Sequence, residues 1–262
     1  MPNPDATAGE QAQQPLNVAP ITCTGVELLL LDIEGTTCPV TFVSDTLFPY
    51  AAEAMEGFLQ REAPRRADVR ELLNAVEQSW LSDSDPAATA LRKGSPTDVA
   101  AYLRQLIHRD SKLPALKELQ GLVWRAGYAN AALVAPLFAD VAEALRRWKA
   151  AGLGLAVYSS GSTAAQQLLY GHSNAGDLST MFSHWFDTSM GPKHQSESYA
   201  AIATRMELEP KNILFISDST AECRAAQVAG MQVLFSSRSG NPNRDSEGFT
   251  TISNFGQLII GP

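Results

Sequence analysis

Apolar and polar positions along this chain fall in blocks. Residues 28–31 read Leu-Leu-Leu-Leu, and Asp32-Ile33-Glu34-Gly35-Thr36-Thr37 follows. A short, unbroken apolar run closed by a glycine turn predicts a strand buried on both faces, as in a parallel sheet. Such a strand cannot carry two carboxylates into the core, because unpaired buried charge is very costly. The acids must therefore sit at its carboxyl end, where open α/β sheets bind ligands. Later segments repeat the design. Gly154-Leu155-Ala156-Val157-Tyr158 runs into Ser159-Ser160-Gly161-Ser162, and Asn212-Ile213-Leu214-Phe215-Ile216 runs into Ser217-Asp218-Ser219-Thr220, with Glu222 just beyond. Between them, Phe186-Asp187-Thr188 leads to a loop holding Lys193.

Helical patterns separate these strands. Val141, Leu145 and Trp148 recur at helical spacing and Gly152 stands where a C-cap belongs, which predicts a helix over about 138–151. Thr220–Ala229 reads as another helix closed by Gly230, followed by the strand Val233-Leu234-Phe235. This alternation predicts an α/β fold, a Rossmann-like doubly wound parallel sheet. Residues 42–135 break it. They hold no convincing strand and show helical patterns at about 45–61, 66–80, 97–109 and 114–127. Ser95-Pro96-Thr97-Asp98 has the look of a helix start, with a capping serine and proline at the first helical position. Asp83-Ser84-Asp85-Pro86 reads as a solvated loop. The expected organisation is a disordered tail over 1–22, an α/β core from 23–41 and 136–262, and an inserted all-helical unit over 42–135.

Composition narrows the function. A net charge of −8 and a pI near 5.0 argue against a nucleic-acid or anionic-membrane surface. They leave room for a small anionic substrate, since a metal ion and one lysine can reverse a local potential. No apolar stretch approaches the roughly 20 residues of a membrane span, and residues 1–20 lack the basic start and apolar core of a secretory signal. Cys23, Cys38 and Cys223 are scattered and form no Cys-x-x-Cys, so neither a zinc site nor a disulfide framework is expected. A cytoplasmic monomer with no nucleic-acid or membrane partner is the expectation. The four histidines show no paired ligand spacing, and His172 after Gly171 reads as a helix end. Gly152-Leu153-Gly154 precedes a strand and so is no dinucleotide fingerprint, and no Gly-x-Ser-x-Gly elbow is present.

The ordered set Asp-x-Glu, Ser-Ser, Lys, Asp-x-x-x-Glu resembles the four motifs of the haloacid dehalogenase (HAD) superfamily of phosphotransferases. Finer strings resemble its enolase-phosphatase branch in methionine salvage: Asp32-Ile33-Glu34-Gly35-Thr36-Thr37, Leu47-Phe48-Pro49-Tyr50, Leu119-Gln120-Gly121 with Trp124-Arg125-Ala126, Tyr158-Ser159-Ser160-Gly161-Ser162, Gly171-His172-Ser173, and Ser196-Glu197-Ser198-Tyr199. Each polar tip also has an ordinary reading: serines that cap the next helix, a surface lysine, an acid at a helix N-terminus. Their joint order is what points to chemistry.

The resemblance implies an HAD core with the helical insertion as a cap over the active site, and a small phosphate ester as substrate. Phosphate-monoester enzymes reach accelerations up to about 10²¹, mostly from positioning and charge neutralisation. Asp32 is the candidate nucleophile and Mg²⁺ ligand, and Asp218 the second acidic ligand. The family adds the backbone carbonyl of Glu34 as a further oxygen ligand. Ser159 and Ser160 suit phosphoryl oxygens, and Lys193 supplies fixed positive charge to nucleophile and phosphate. Glu222 either orients a metal-bound water or holds Lys193. Glu34 stands where many HAD phosphatases have aspartate; it does the usual acid–base work, or enolises a diketone, or both. Trp124 and Arg125 of the cap are candidates to face the substrate, against a packing role for Trp124. The implied substrate is 2,3-diketo-5-methylthiopentyl 1-phosphate, enolised and then dephosphorylated to an acireductone. The rivals are a phosphatase for another small ester and a catalytically silent binding protein on the same fold.

Overall fold

A computed structural model describes residues 20–94 and 98–261. Its centre is a six-stranded, all-parallel sheet built from β2 (Leu28–Leu31), β3 (Gly154–Tyr158), β4 (His184–Phe186), β5 (Ile213–Ser217), β6 (Gln232–Ser236) and β7 (Thr251–Ile252). The lateral order is β4-β3-β2-β5-β6-β7. The chain winds outward from β2 in one direction and then, from β5, in the other. The switch point of the sheet therefore lies between β2 and β5, whose Leu31 and Ile216 are paired in register. Beyond it the pairing continues for one residue, Asp32 N donating to Ile216 O at 3.0 Å.

The four leucines of β2 serve both faces of the sheet. Leu29 and Leu31 pack with Leu155, Val157, Leu214 and Ile216 against Leu145 and Trp148 of α6 (Val141–Ala150) and Leu169 and Tyr170 of α7 (Thr163–Gly171). Leu28 and Leu30 pack with Ala156, Tyr158 and Phe215 against Tyr199 and Ile202 of α8 (Ser196–Met206) and Ala226 of α9 (Thr220–Val228). Successive side chains of a strand point to opposite faces, so an unbroken leucine run is what two helical layers require.

Among the described residues, nothing between 43 and 129 is strand. A π-helical turn, Val43–Leu47, leads into α1 (Phe48–Glu62), and α2 (Ala67–Ser82), α3 (Pro86–Gly94), α4 (Val99–His108) and α5 (Pro114–Ala129) follow. These helices enclose a second core of their own, in which Trp80 stacks on Tyr102 with ring centroids 4.9 Å apart.

Several expectations change. The tail was expected to run to residue 22, but Ile21–Thr24 form a strand, β1, paired in parallel with β8 (Leu258–Gly261). Residues 1–19 lie outside the described residues. Four residues at a terminus carry too little pattern to read as a strand, and their partner stands at the other end of the chain. Ser95, Pro96 and Thr97 also lie outside the described residues; Asp98 is the N-cap of α4, accepting from Ala101 N at 2.9 Å. The Asp83–Pro86 stretch is a structural joint rather than a solvated loop. Asp85 accepts from the first amides of α3 at Ala87 (2.8 Å) and Ala88 (3.2 Å), while Asp83 accepts from Tyr102 Oη at 2.8 Å and pairs with Arg109. Burial alone would raise the Asp83 pKa, but Arg109 and these donors pull it down to about 2.

One buried cation ties the sheet edge to the site loop. Arg238, 3% exposed, donates Nε to Thr36 O at 3.1 Å and Nη1 to both Asp140 oxygens at 2.8 Å, and lies over the rings of Phe138 and Phe255. Removing one partner of a buried pair typically costs about 3–5 kcal/mol. Arg238→Ala is therefore expected to lower Tm by roughly 6–20 °C, at ~2–4 °C per kcal/mol for a chain of this size. Thermal unfolding followed by circular dichroism checks this; an unchanged Tm would show that the pair contributes nothing.

Candidate active site

The turn after β2 is wound tightly by its own backbone. The amides of Thr36, Thr37 and Cys38 all point to Ile33 O at 2.9–3.1 Å, and Gly35 N donates to Cys38 O at 2.8 Å. Gly35 sits at φ +68°, and a Cβ there would collide with the Asp218 carboxylate, so only glycine permits both the conformation and the approach. Its carbonyl is held by Ser236 Oγ at 3.0 Å and Asn241 Nδ2 at 2.9 Å. Thr37 Oγ1 meets Tyr170 Oη at 2.7 Å. The turn is thus fixed from β6, α7 and its own hydrogen bonds.

Five of the acids and bases picked out in the sequence, Asp32, Glu34, Lys193, Asp218 and Glu222, converge here. Asp32 is 5% exposed, and its Oδ1 lies 2.6 Å from Lys193 Nζ. Lys193 Nζ also lies 2.7 Å from Glu222 Oε2, so Glu222 holds the lysine. Ser217 Oγ lies 3.3 Å from Asp32 Oδ2 and 3.0 Å from Glu222 Oε2, and accepts from Ser219 N at 3.1 Å. Burial alone would lower the Lys193 pKa, but the two carboxylates outweigh it and hold it above its ordinary range. The lysine loop is pinned by Tyr158 Oη to Gly191 O (2.8 Å), Ser198 Oγ to Pro192 O (2.9 Å) and Tyr199 Oη to Lys193 O (2.7 Å). Lys193 is therefore not a surface loop lysine; its side chain is 11% exposed.

The serines divide. Ser162 caps α7, accepting from Ala165 N at 3.3 Å. Ser159 is buried and accepts from Gly161 N at 3.3 Å, while Ser160 is exposed; both line a cavity of about 470 Å³. Glu34, Ile33, Gly161 and Gln166 line the same cavity from the sheet side, and Val43, Leu47, Phe48, Gln120 and Trp124 from the helical side. Trp124 faces the cavity while anchored by Nε1 to Leu47 O at 2.8 Å. Arg125 does not: it is exposed and lines a separate cleft with His172 and Asp177. Adjacent helical residues are about 100° apart, so α5 cannot turn both inward.

The electrostatics are unbalanced. Burial, then the Asp32 charge, pushes Glu34, Asp218 and Glu222 each up to about 7. Lys193 alone does not neutralise Asp32 and these three acids. Among the described residues no three His, Cys, Asp or Glu side chains converge tightly enough to hold a metal ion by themselves. The donors present are Asp32, Asp218 and the Glu34 carbonyl, which accepts no backbone hydrogen bond among the described residues. That set is all oxygen, and suits a hard divalent cation that keeps several waters.

Sequence reasoning missed Ser217, Gln166, Ser236, Asn241 and Arg238. Ser217 had a faint signal as a polar end on an otherwise apolar strand; the others act across more distant segments and leave none. Among the described residues no helix is long and apolar enough to cross a membrane.

The chain matches the family model described as haloacid dehalogenase-like hydrolase over residues 26–230. It is 51% identical over 215 residues to "Enolase-phosphatase E1" of Synechococcus sp. (strain RCC307), covering 82% of this chain and 86% of that protein. It is 44% identical over 242 residues to "Enolase-phosphatase E1" of Synechococcus sp. (strain WH7803), covering 90% and 100%. The crystal structure of the UTR4 protein of Saccharomyces cerevisiae is similar with a TM-score of 0.71 and 31% identity, covering 87% of this chain and 98% of that one. HAD-like hydrolases and enolase-phosphatases generally use a divalent metal, which fits the donors found here.

The raised acids set a pH dependence. Their pKa values stand at about 7 in the metal-free fold against 3.8 or 4.5 ordinarily. A carboxyl raised in the fold contributes stability that is complete below its unfolded pKa and lost as pH rises through the folded one. Chelator-treated protein is therefore expected to lose Tm between about pH 4 and pH 7. A divalent cation should restore more Tm at the upper end, and should release protons on binding near pH 7. Scanning and titration calorimetry check both; a stripped protein that gains Tm over this range would contradict the assignment.

Proposed function

This chain belongs to the haloacid dehalogenase-like hydrolases and, within them, to the enolase-phosphatase E1 family, and from that membership we propose a two-step reaction carried by the residues above. The substrate is a small phosphate ester, 2,3-diketo-5-methylthiopentyl 1-phosphate. It is enolised, then dephosphorylated to the acireductone of methionine salvage. The observation that carries this reading is the Asp32–Lys193 contact of 2.6 Å, beside a cavity that Glu34 lines. The apolar wall of Val43, Leu47, Phe48 and Trp124 favours a substrate with an alkyl thioether tail over a fully polar ester such as glycolate phosphate.

Each side chain has a task. Asp32 attacks phosphorus with a carboxylate oxygen, the ester P–O bond breaks, and an aspartyl phosphate forms on the chain. Lys193 orients Asp32 through the 2.6 Å contact and offers its charge to the phosphoryl group. Ser159 and Ser160 bind phosphoryl oxygens at the turn after β3. Glu34 moves protons, and a pKa near 7 suits a group that must both take and give them. In the first step it takes the proton from the carbon bearing the ester and returns it to the neighbouring oxygen, leaving the enol. Protonated again from solvent, it gives its proton to the departing ester oxygen. As a carboxylate it then takes the proton of the water that opens the aspartyl phosphate. Asp32, Asp218 and the Glu34 carbonyl would hold Mg²⁺, which neutralises phosphoryl charge. Residues 42–135 act as the cap, with chain entry near 40–44 and exit near 133–138 as its hinge. The three cysteines are free thiols, in keeping with a cytoplasmic setting.

Phosphate release from the diketone phosphate, with Mg²⁺ and with chelator, tests the reading directly. Asp32→Asn is expected to abolish release with the fold intact, and near-normal turnover would sink the covalent route. Asp218→Asn should weaken activity and the Mg²⁺ titration together; an unshifted titration would remove it as a ligand.

Glu34→Gln should keep its affinity for the cation, because the carbonyl is unchanged, and slow release by roughly 10²–10⁴. Deuterium exchange at the reacting carbon should fall with it. Exchange that persists while release collapses would assign the first step to another base.

A further inference from the structure

Gln120 is a buried polar residue that the reaction above leaves unused. It lies on α5, one turn before Trp124, is 5% exposed and lines the cavity. Its amide makes no hydrogen bond to the described residues. The other buried glutamine of the cavity contrasts with it: Gln166 donates Nε2 to both Gly161 O and Phe186 O at 2.8 Å. The Gln120 amide has no partner among the described residues and opens onto the cavity, whereas leucine at this place would extend the helical core formed by Leu116, Leu119 and Val123. The free amide therefore has its use inside the cavity.

Its surroundings narrow that use. Leu47 and Phe48 offer carbon, and the Trp124 Nε1 proton is already given to Leu47 O. Lys112, also on the cavity rim, pairs with Asp110 at 2.6 Å and stands largely in solvent. The sheet side supplies the phosphate-directed groups Ser159 and Ser160 and the proton carrier Glu34. Gln120 thus shares the helical wall of the cavity with Val43, Leu47, Phe48 and Trp124, the apolar side toward which the carbon skeleton of the substrate would turn. An amide carries both a donor and an acceptor. A ketone oxygen only accepts; the enol hydroxyl that replaces it also donates. A lysine would serve the first alone.

We propose that Gln120 is the residue that selects the vicinal diketone, its Nε2 donating to a keto oxygen and its Oε1 accepting from the enol hydroxyl formed there. This rests on the function proposed above.

The test compares kcat/KM for the diketone phosphate with kcat/KM for n-pentyl phosphate, an ester with the same five-carbon chain but without the carbonyls and the methylthio group. Gln120→Leu and the isosteric Gln120→Glu are each expected to lower the ratio of the two by about 10- to 100-fold. Thermal unfolding should show no loss of Tm in Gln120→Leu, since no bond within the protein is removed. An unchanged ratio, including equal losses on both esters, would overturn the proposal. A Gln120→Leu protein that unfolds or melts markedly earlier would overturn it too, because the amide would then be holding the fold. Wild-type enzyme that hydrolyses pentyl phosphate and leaves the diketone phosphate untouched would instead defeat the proposed function, and this inference with it. Wild-type enzyme active on both, with the ratio intact in the variants, defeats this inference alone.

Discussion

Negative charge gathered at the carboxyl ends of two neighbouring parallel strands is the constraint on which the rest of the structure depends. Asp32 follows β2 and Asp218 follows β5, and these strands flank the switch point of the sheet. Glu34 and Glu222 add two further carboxyls, with Lys193 as the cation among them. Burial, and after it the Asp32 charge, raises three of its acids to about 7. A divalent cation offsets the charge of the cluster and leaves room for a phosphoryl anion, so the site is built to be completed by a metal.

Much of the surrounding chain exists to keep that cluster in place. Gly35 lets the turn after β2 come against Asp218, and Ser236 at the end of β6 and Asn241 in the loop beyond it hold the Gly35 carbonyl. Arg238 reaches under the same turn to Thr36 and is itself fixed by Asp140. On the opposite side Tyr158, Ser198 and Tyr199 clamp the carbonyls of Gly191, Pro192 and Lys193, and only glycine fits at 191, where a Cβ would collide with Ser198. The lysine arrives at Asp32 with its backbone held, so little conformational entropy remains to be lost when substrate binds.

The helical unit supplies what the sheet lacks. The strand tips present charge and hydroxyls, whereas the helices bring carbon to the cavity through Val43, Leu47, Phe48 and Trp124. Because these helices have a core of their own, their inner surface can vary without disturbing the strands.

Local sequence determined a large share of this. Four uninterrupted leucines demand two covered faces, hence a parallel sheet, and each apolar strand that ends in a polar tip places that tip at a carboxyl end. Asp32, Asp218 and Glu222 stand at or just past such tips, Lys193 is picked out only by the resemblance to the HAD motifs, and the structure brings the four together. The α5 pattern marked both Trp124 and Arg125 without saying which one turns inward. Only tertiary structure decided that Glu222 grips Lys193, that Arg125 faces away from the cavity, that Ser217 bridges two acids, and that β1 closes on β8. Each of these depends on distances between segments far apart in the chain, 161 residues from Asp32 to Lys193 and 237 from Ile21 to Leu258. Periodicity and propensity report how a segment meets its immediate surroundings, whereas a contact across the sheet depends on lateral strand order, which no local pattern encodes.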